Sequence, residues 1–170
     1  MEEEKMKAAS LKSISRTIVV PLMFATLVGA VETRARAQSE NSIHDRVVGL
    51  WNVQVTNTNC ATGATMNTFS ALHKYEHGGT AQVVPATNPA ALSPHVGVWR
   101  HVHGNDYQLD FKMFRFDIAG NNIGWVAVKS KVSINDDATQ YSGSGLAEFF
   151  DSGGNRVGTS CPSFTGTRFE

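Results

Sequence analysis

The sequence lacks an excess of charge of either sign, since its 170 residues include 15 basic and 15 acidic side chains. A chain with balanced charge offers no basic surface for a phosphate backbone, so we expect no nucleic-acid partner. The sequence also lacks a Gly-x-Ser-x-Gly motif and a glycine-rich phosphate-binding loop. No nucleophilic mechanism is indicated, and we therefore assign no catalytic residue and no cofactor.

Long apolar runs are also scarce, and the most prominent one, at Ile18–Val31, lies near the N-terminus. Basic residues precede it, and the small-x-small pattern Ala35-Arg36-Ala37 follows it. This order is typical of a secretory signal peptide over residues 1–37, with an N-terminal membrane anchor as the alternative. After cleavage no apolar run is long enough to span a bilayer. We therefore expect a secreted or periplasmic protein with no stable membrane insertion.

Cysteine is rare, because the chain contains only Cys60 and Cys161. Two cysteines in an exported protein suggest one disulfide, and the alternative is a pair of buried free thiols. The bridge would close a loop of about 100 residues, for which the chain-entropy model gives a stabilisation of up to ~4–5 kcal/mol.

Helices of more than two turns are not indicated after residue 46, whereas strand-length segments recur between turns rich in Gly, Asn and Asp. These turn residues tolerate the positive φ angles of tight hairpins. We interpret residues 38–46 as a lead-in arm and residues 47–170 as one all-β domain. The predicted strands are Val47–Asn57, Thr65–Tyr75, Thr80–Val84, Val98–His103, Tyr107–Phe116, Ile123–Ile134, Thr139–Phe150 and Arg156–Phe169. About eight strands with mostly short connections favour a closed antiparallel up-and-down barrel, because closure removes exposed strand edges.

The segment Pro85–Pro94 is the one long irregular connection that the pattern predicts. Its three prolines exclude a central strand and disfavour a helix. Loops of this length often cover the mouth of a barrel, and a plain surface loop is the alternative.

Two pairs of residues in the first and last predicted strands indicate the same closure of the barrel. In an antiparallel pair the numbers of facing residues have a nearly constant sum. Cys60 with Cys161, and Trp51 with Arg168, satisfy one such register to within about two residues. We therefore expect the disulfide at one end of the closing seam and Arg168 stacked on Trp51.

The same strands carry a family resemblance. Gly49-Leu50-Trp51 resembles the Gly-x-Trp pattern of lipocalins and other calycins, and Gly166-Thr167-Arg168-Phe169 supplies the basic residue that packs across the tryptophan in those families. The domain is similar to a small bacterial lipocalin-like barrel. A lipocalin-type Thr-Asp-Tyr turn signature is not visible, which favours a more distant calycin, or a barrel of the allene oxide cyclase and dirigent kind.

Candidate ligand-binding residues come from the later strands, where a barrel interior could hold an apolar molecule and a few polar groups that orient it. We select six of them: Trp99, Phe111, Met113, Arg115, Tyr141 and Glu148. Glu148 and Arg115 could instead form an ordinary cross-strand ion pair on the outside. A barrel of this size can be packed or can hold one small ligand. Small residues in the later strands, such as Gly143, Gly145 and Ala147, favour a cavity.

The pattern His101-Val102-His103 places two imidazoles on one face of a strand, a spacing that can grip a metal ion. Histidines at a strand end beside a turn are more often solvated, so we assign no metal site.

These observations favour a non-catalytic binding protein for a small apolar ligand, as the lipocalin-like resemblance implies. The cyclase and dirigent resemblance implies an alternative, an enzyme of the cyclase or isomerase type that acts within an apolar cavity. A third hypothesis is an interaction or inhibitor module that acts through Pro85–Pro94. The sequence is compatible with an oligomer.

Overall fold

The computed structural model describes residues 45–169, and these form one closed antiparallel barrel in which each strand pairs with the next and the last pairs with the first. The strands are β1 Gly49–Thr58, β2 Thr65–Tyr75, β3 Thr80–Pro85, β4 His95–His103, β5 Asp106–Phe116, β6 Asn122–Ile134, β7 Gln140–Phe150 and β8 Arg156–Arg168. The predicted all-β barrel of eight strands is confirmed. Between residues 45 and 169 there is no helix long and apolar enough to cross a membrane. The predicted signal peptide lies outside the described residues.

The seam between β1 and β8 follows the predicted register. Trp51 pairs with Arg168 at one end of the seam, and Thr58 pairs with Cys161 at the other. A disulfide joins Cys60 to Cys161, with a Cα–Cα distance of 5.1 Å. The predicted disulfide is confirmed, and the alternative of free thiols is wrong.

Arg168 closes the barrel end at which β1 begins. Its guanidinium lies 4.3 Å from the centre of the Trp51 ring. It donates hydrogen bonds to the carbonyl oxygens of Val48, Arg46 and Ala138 at 2.9, 2.7 and 2.8 Å. Trp51 Nε1 in turn donates to the carbonyl oxygen of Val47 at 2.8 Å. These bonds tie the segment before β1 and the turn before β7 to the end of β8, so this end is sealed.

Strand β4 begins three residues earlier than the predicted strand, at His95 rather than Val98. The prediction was wrong here because Pro94 and Gly97 both indicate a loop in the sequence. In the structure Gly97 lies within the strand, where a Cβ atom would come 2.2 Å from the Asp110 carbonyl oxygen of β5. Glycine therefore permits the close approach of two backbones, and the strand extends back to place His95 inside the barrel.

Candidate ligand-binding cavity

The barrel interior has two unlike halves. Next to the sealed end, Trp51, Tyr75, Tyr107 and Leu109 are each at most 2% exposed. Their rings meet in edge-to-face contacts, for example Trp51 with Tyr141 at a centroid distance of 5.0 Å. This half is therefore occupied by closely packed aromatic side chains.

The opposite half contains a cavity of about 390 Å³. Its wall is aliphatic and aromatic, with the residues Val55, Phe69, Val83, Phe111, Met113, Val126, Val128, Ala147, Phe149 and Phe164. Its rim includes Asn57 and Asn67 beside the β1–β2 hairpin, and the 60% exposed Met66. The cavity therefore lies at the barrel end farthest from the Trp51–Arg168 closure. Small side chains on β7, such as Ala147, leave the space that larger ones would fill.

Four polar side chains in this wall have buried atoms without a hydrogen-bond partner among the described residues. These atoms are both ring nitrogens of His95, Nε2 of His73, the Ser160 hydroxyl and the Thr87 hydroxyl. His95 is 4% exposed and Ser160 is 1% exposed. The His95 ring stacks on Phe111, with centroids 5.8 Å apart and planes inclined by 9°. Its orientation is therefore fixed although its nitrogens are unpaired.

A hydrogen bond to Tyr141 fixes His73 at the floor of the cavity. Tyr141 Oη and His73 Nδ1 are 2.9 Å apart, and Phe164 packs edge-on to the imidazole. Burial, and then the proximity of His95, lower the pKa of His73 to about 3, and burial lowers the pKa of His95 to about 4. Burial raises the pKa of the Tyr141 hydroxyl above its usual range. At neutral pH the floor therefore carries neutral imidazoles and a protonated phenol.

The loop after β3 forms part of the mouth. Thr87 and Leu92 line the cavity, and Leu92 forms an isolated antiparallel bridge with Arg115. The loop is held on β5 by a hydrogen bond from Phe116 N to the Ala91 carbonyl oxygen at 2.9 Å. Pro85–Pro94 is thus more than the plain surface loop that was the alternative. Arg115 also lines the mouth, with its guanidinium 5.7 Å from the centre of the Phe149 ring.

The six predicted ligand-binding residues fall into four groups. Phe111, Met113 and Arg115 line the cavity. Trp99 lies in the filled half, where its Nε1 donates to the Glu76 carbonyl oxygen at 2.9 Å. Tyr141 lies below the cavity and contacts it through His73.

Glu148 is not among the described residues that line the cavity. Its carboxylate accepts a hydrogen bond from Arg156 Nη1 at 2.8 Å. The ion pair considered between Glu148 and Arg115 is not formed among the described residues. The cross-strand partner of Glu148 is therefore on β8 instead of β5.

Sequence reasoning missed His95, His73 and Ser160 as site residues. His95 was outside the predicted strand, and the weak alternation in β2 left the facing of His73 uncertain. A usable signal was present for Ser160, since it has the same strand parity as the apolar Phe164 and therefore faces the same side.

The two histidines of the His101-Val102-His103 pattern lie at the β4–β5 hairpin. His101 Nε2 is 2.8 Å from the Gly104 carbonyl oxygen, and His103 faces Asp106 at 3.4 Å. Within residues 45–169 no group of three or more His, Cys, Asp or Glu side chains is arranged to hold a metal ion.

A wider groove of about 930 Å³ runs over the outside of β1, β2, β7 and β8. Its outward-facing side chains, such as Asn52, Gln54, Ser70 and Thr165, are exposed to solvent. Solvent can satisfy these polar groups, whereas it reaches the buried imidazoles of the interior much less. The interior cavity is therefore the stronger candidate site.

Comparison with known proteins gave no matching family model and no matching curated protein. Three solved structures are similar. One is described as EF1p2_mFAP2b bound to DFHBI, with 17% identity, a TM-score of 0.45, and coverage of 74% of this chain and 95% of that chain. A redesigned beta barrel, b11L5F_LGL, has 18% identity, a TM-score of 0.39 and coverage of 74% and 94%. Rv2717c from M. tuberculosis has 10% identity, a TM-score of 0.37 and coverage of 74% and 94%. Similarity at this level carries no inference about the ligand or the activity of this chain.

Proposed function

We propose that the barrel binds one small, largely apolar molecule in the interior cavity. The observation that carries this proposal is a cavity of about 390 Å³ whose apolar wall contains buried polar atoms with no partner in the described part of the chain. Binding sites for small molecules have this composition, in which apolar surface provides affinity and a few polar groups fix the orientation.

The energetic reason concerns the polar atoms. A buried donor or acceptor without a partner costs about 1–3 kcal/mol, and His95, His73 and Ser160 each contribute at least one such atom to the same cavity. A neutral imidazole offers one donor and one acceptor. A ligand with a hydroxyl, carbonyl or amide group would provide a partner for one or more of these atoms. Binding would therefore remove part of the free-energy cost that these unpartnered atoms impose on the ligand-free barrel.

An enzymatic function is the second candidate, because Tyr141 orients His73 at the cavity floor as a third group orients a catalytic base. An efficient general base has a pKa near the operating pH. Burial lowers the pKa of His73 to about 3, so its ring is a poor proton acceptor at neutral pH. The pair is therefore better suited to hold a ligand by hydrogen bonds, and we favour binding over catalysis.

Export is part of the proposal. The signal-peptide pattern over residues 1–37 supports it, and so does the disulfide between Cys60 and Cys161, since such bridges persist mainly in oxidising compartments. We propose that the mature protein is secreted or periplasmic.

A fluorescence titration with N-phenyl-1-naphthylamine, a neutral apolar probe, tests the function. We expect the probe to brighten on the wild-type protein and the Leu146→Phe variant, whose altered side chain lies on the outer face. We expect Ala147→Phe, which fills the cavity from the adjacent position, to weaken binding at least about tenfold. Thermal unfolding of both variants controls for folding. No brightening on the wild-type protein, or equal binding by both variants, would overturn the proposed function.

A further inference from the structure

We infer that the ligand is an anionic amphiphile, with its apolar body in the cavity and a carboxylate or similar oxyanion held at the mouth by Arg115. This inference rests on the proposed function and specifies the chemical class of the ligand.

The first observation is the charge of the lining. Among the described residues that line the cavity, Arg115 is the one permanently charged side chain, and none of them is Asp or Glu. The imidazoles deeper inside are neutral at physiological pH, because burial lowers the pKa of each. A cationic ligand would meet a like charge at the mouth and no compensating carboxylate inside. An anionic ligand would meet a single opposite charge.

The second observation is that Arg115 differs from the other arginines of the described range. Arg46 donates to Asn105, Arg100 donates to Gln108, Arg156 pairs with Glu148, and Arg168 donates to backbone carbonyl groups. The Arg115 guanidinium lies over the Phe149 ring, and within residues 45–169 it makes no ion pair with a carboxylate. Its planar set of N–H donors is therefore available to a ligand.

The third observation is that Arg115 is held in place. Its backbone forms the bridge with Leu92, and β5 carries a bulge in its pairing with β6 between Arg115 and Phe116. The side chain is half-buried, and the aromatic ring below it shields one face from water. A guanidinium in such a position binds a carboxylate in the two-pronged geometry that lysine cannot reproduce.

The arrangement also sets the orientation of the ligand. The oxyanion lies at the mouth beside Arg115, and the apolar body extends toward Phe111 and Val128. A weaker polar group at the buried end of the ligand would reach His73 Nε2 at the floor of the cavity. Simple fatty acids have both the oxyanion and the apolar body, and they therefore serve as probes for the head group.

The experiment is displacement of N-phenyl-1-naphthylamine by decanoate and by 1-decanol, which have the same chain length and differ in the head group. It compares the wild-type protein with Arg115→Gln, Arg115→Lys and the control Arg100→Gln, which removes an exposed arginine outside the cavity. We expect Arg115→Gln to weaken decanoate about tenfold and decanol less than about twofold, because one charge-assisted contact is lost. Arg115→Lys should restore part of the decanoate affinity, and Arg100→Gln should change neither ligand.

The outcomes separate this inference from the proposed function. If the neutral probe binds and Arg115→Gln weakens both competitors equally or neither of them, the anionic assignment is wrong and the cavity function stands. If Arg100→Gln matches Arg115→Gln, decanoate binds through general surface charge and the assignment is again wrong. If the neutral probe does not bind the wild-type protein at all, the proposed function and this inference both fail.

Discussion

Replacement of His95 by phenylalanine should stabilise the ligand-free barrel while it weakens the binding of polar ligands. His95 is 4% exposed, and neither of its ring nitrogens has a partner among the described residues. A buried polar group without a hydrogen bond costs about 1–3 kcal/mol. The imidazole already stacks on Phe111, so a phenyl ring keeps most of the packing. We therefore expect the free energy of unfolding at pH 7 to rise by about 1–2 kcal/mol.

The same substitution should change how stability depends on pH. Burial lowers the pKa of His95 to about 4, whereas the unfolded chain has the ordinary value of 6.5. The unfolded state then binds the proton more readily, so stability is complete above that ordinary value and declines as the pH falls toward 4. His73 adds a similar decline that continues to about pH 3. Removal of His95 should reduce the loss of stability between pH 7 and 4 by on the order of 3 kcal/mol.

Urea unfolding of both proteins at the two pH values measures these effects. The control is His103→Phe on the same strand, where the histidine is exposed and faces Asp106. A surface substitution of this kind should stay within about 0.5 kcal/mol of the wild type. A loss of more than about 1 kcal/mol in His95→Phe at pH 7 would refute the reasoning, because it would mean that the imidazole contributes favourable interactions to the fold.

Three further predictions concern the fold. Replacement of Cys60 and Cys161 together by serine should lower the free energy of unfolding in urea by up to about 4–5 kcal/mol, because the bridge spans 101 residues. A thiol titration that found two free cysteines in the untreated wild-type protein would contradict this prediction. Gly97→Ala should lower the free energy of unfolding by about 1–3 kcal/mol in the same assay, since the added Cβ would collide with the Asp110 carbonyl oxygen. A variant as stable as the wild-type protein would contradict this, because it would show that β4 and β5 separate easily. Arg168→Met should lower the free energy of unfolding by about 3 kcal/mol or more, because the hydrogen bonds to three carbonyl oxygens are lost. Arg168→Lys should recover only part of this free energy, and equal stabilities of the two variants would argue against a role for the guanidinium geometry.

Much of the fold could be predicted because it depends on local chemistry. Turn residues that tolerate positive φ occur at the hairpins, and alternation in segments such as β5 specifies which side chains face inward. The register of the seam followed from two residue pairs, one with Trp51 and Arg168 and one with the cysteines. In each case the sequence alone is enough for the prediction. Turns and alternation depend on neighbouring residues, and the register depends on the constant sum of residue numbers across an antiparallel pair.

The candidate site was less predictable, and His95 shows why. Its position inside the barrel depends on how closely Gly97 allows β4 to approach β5, which is a property of two strands and not of one. Glu148 shows the same dependence, because β7 pairs with β6 and β8 but not with β5, so Arg115 is not on a strand next to it. The choice of Arg156 as its partner depends on the register of β7 with β8.

The sequence by itself determined the number of strands, the closure of the barrel and the disulfide, because these follow from turn chemistry, alternation and residue spacing. Only the tertiary structure decided that one half of the interior is filled by aromatic rings and the other is hollow. That division depends on which side chains from eight strands meet at each level of the barrel, and their combined volume is not encoded in any single strand. The same convergence places around a single space four polar side chains with unpartnered atoms and an arginine without an ion pair, counted over residues 45–169, and the proposed function rests on this arrangement.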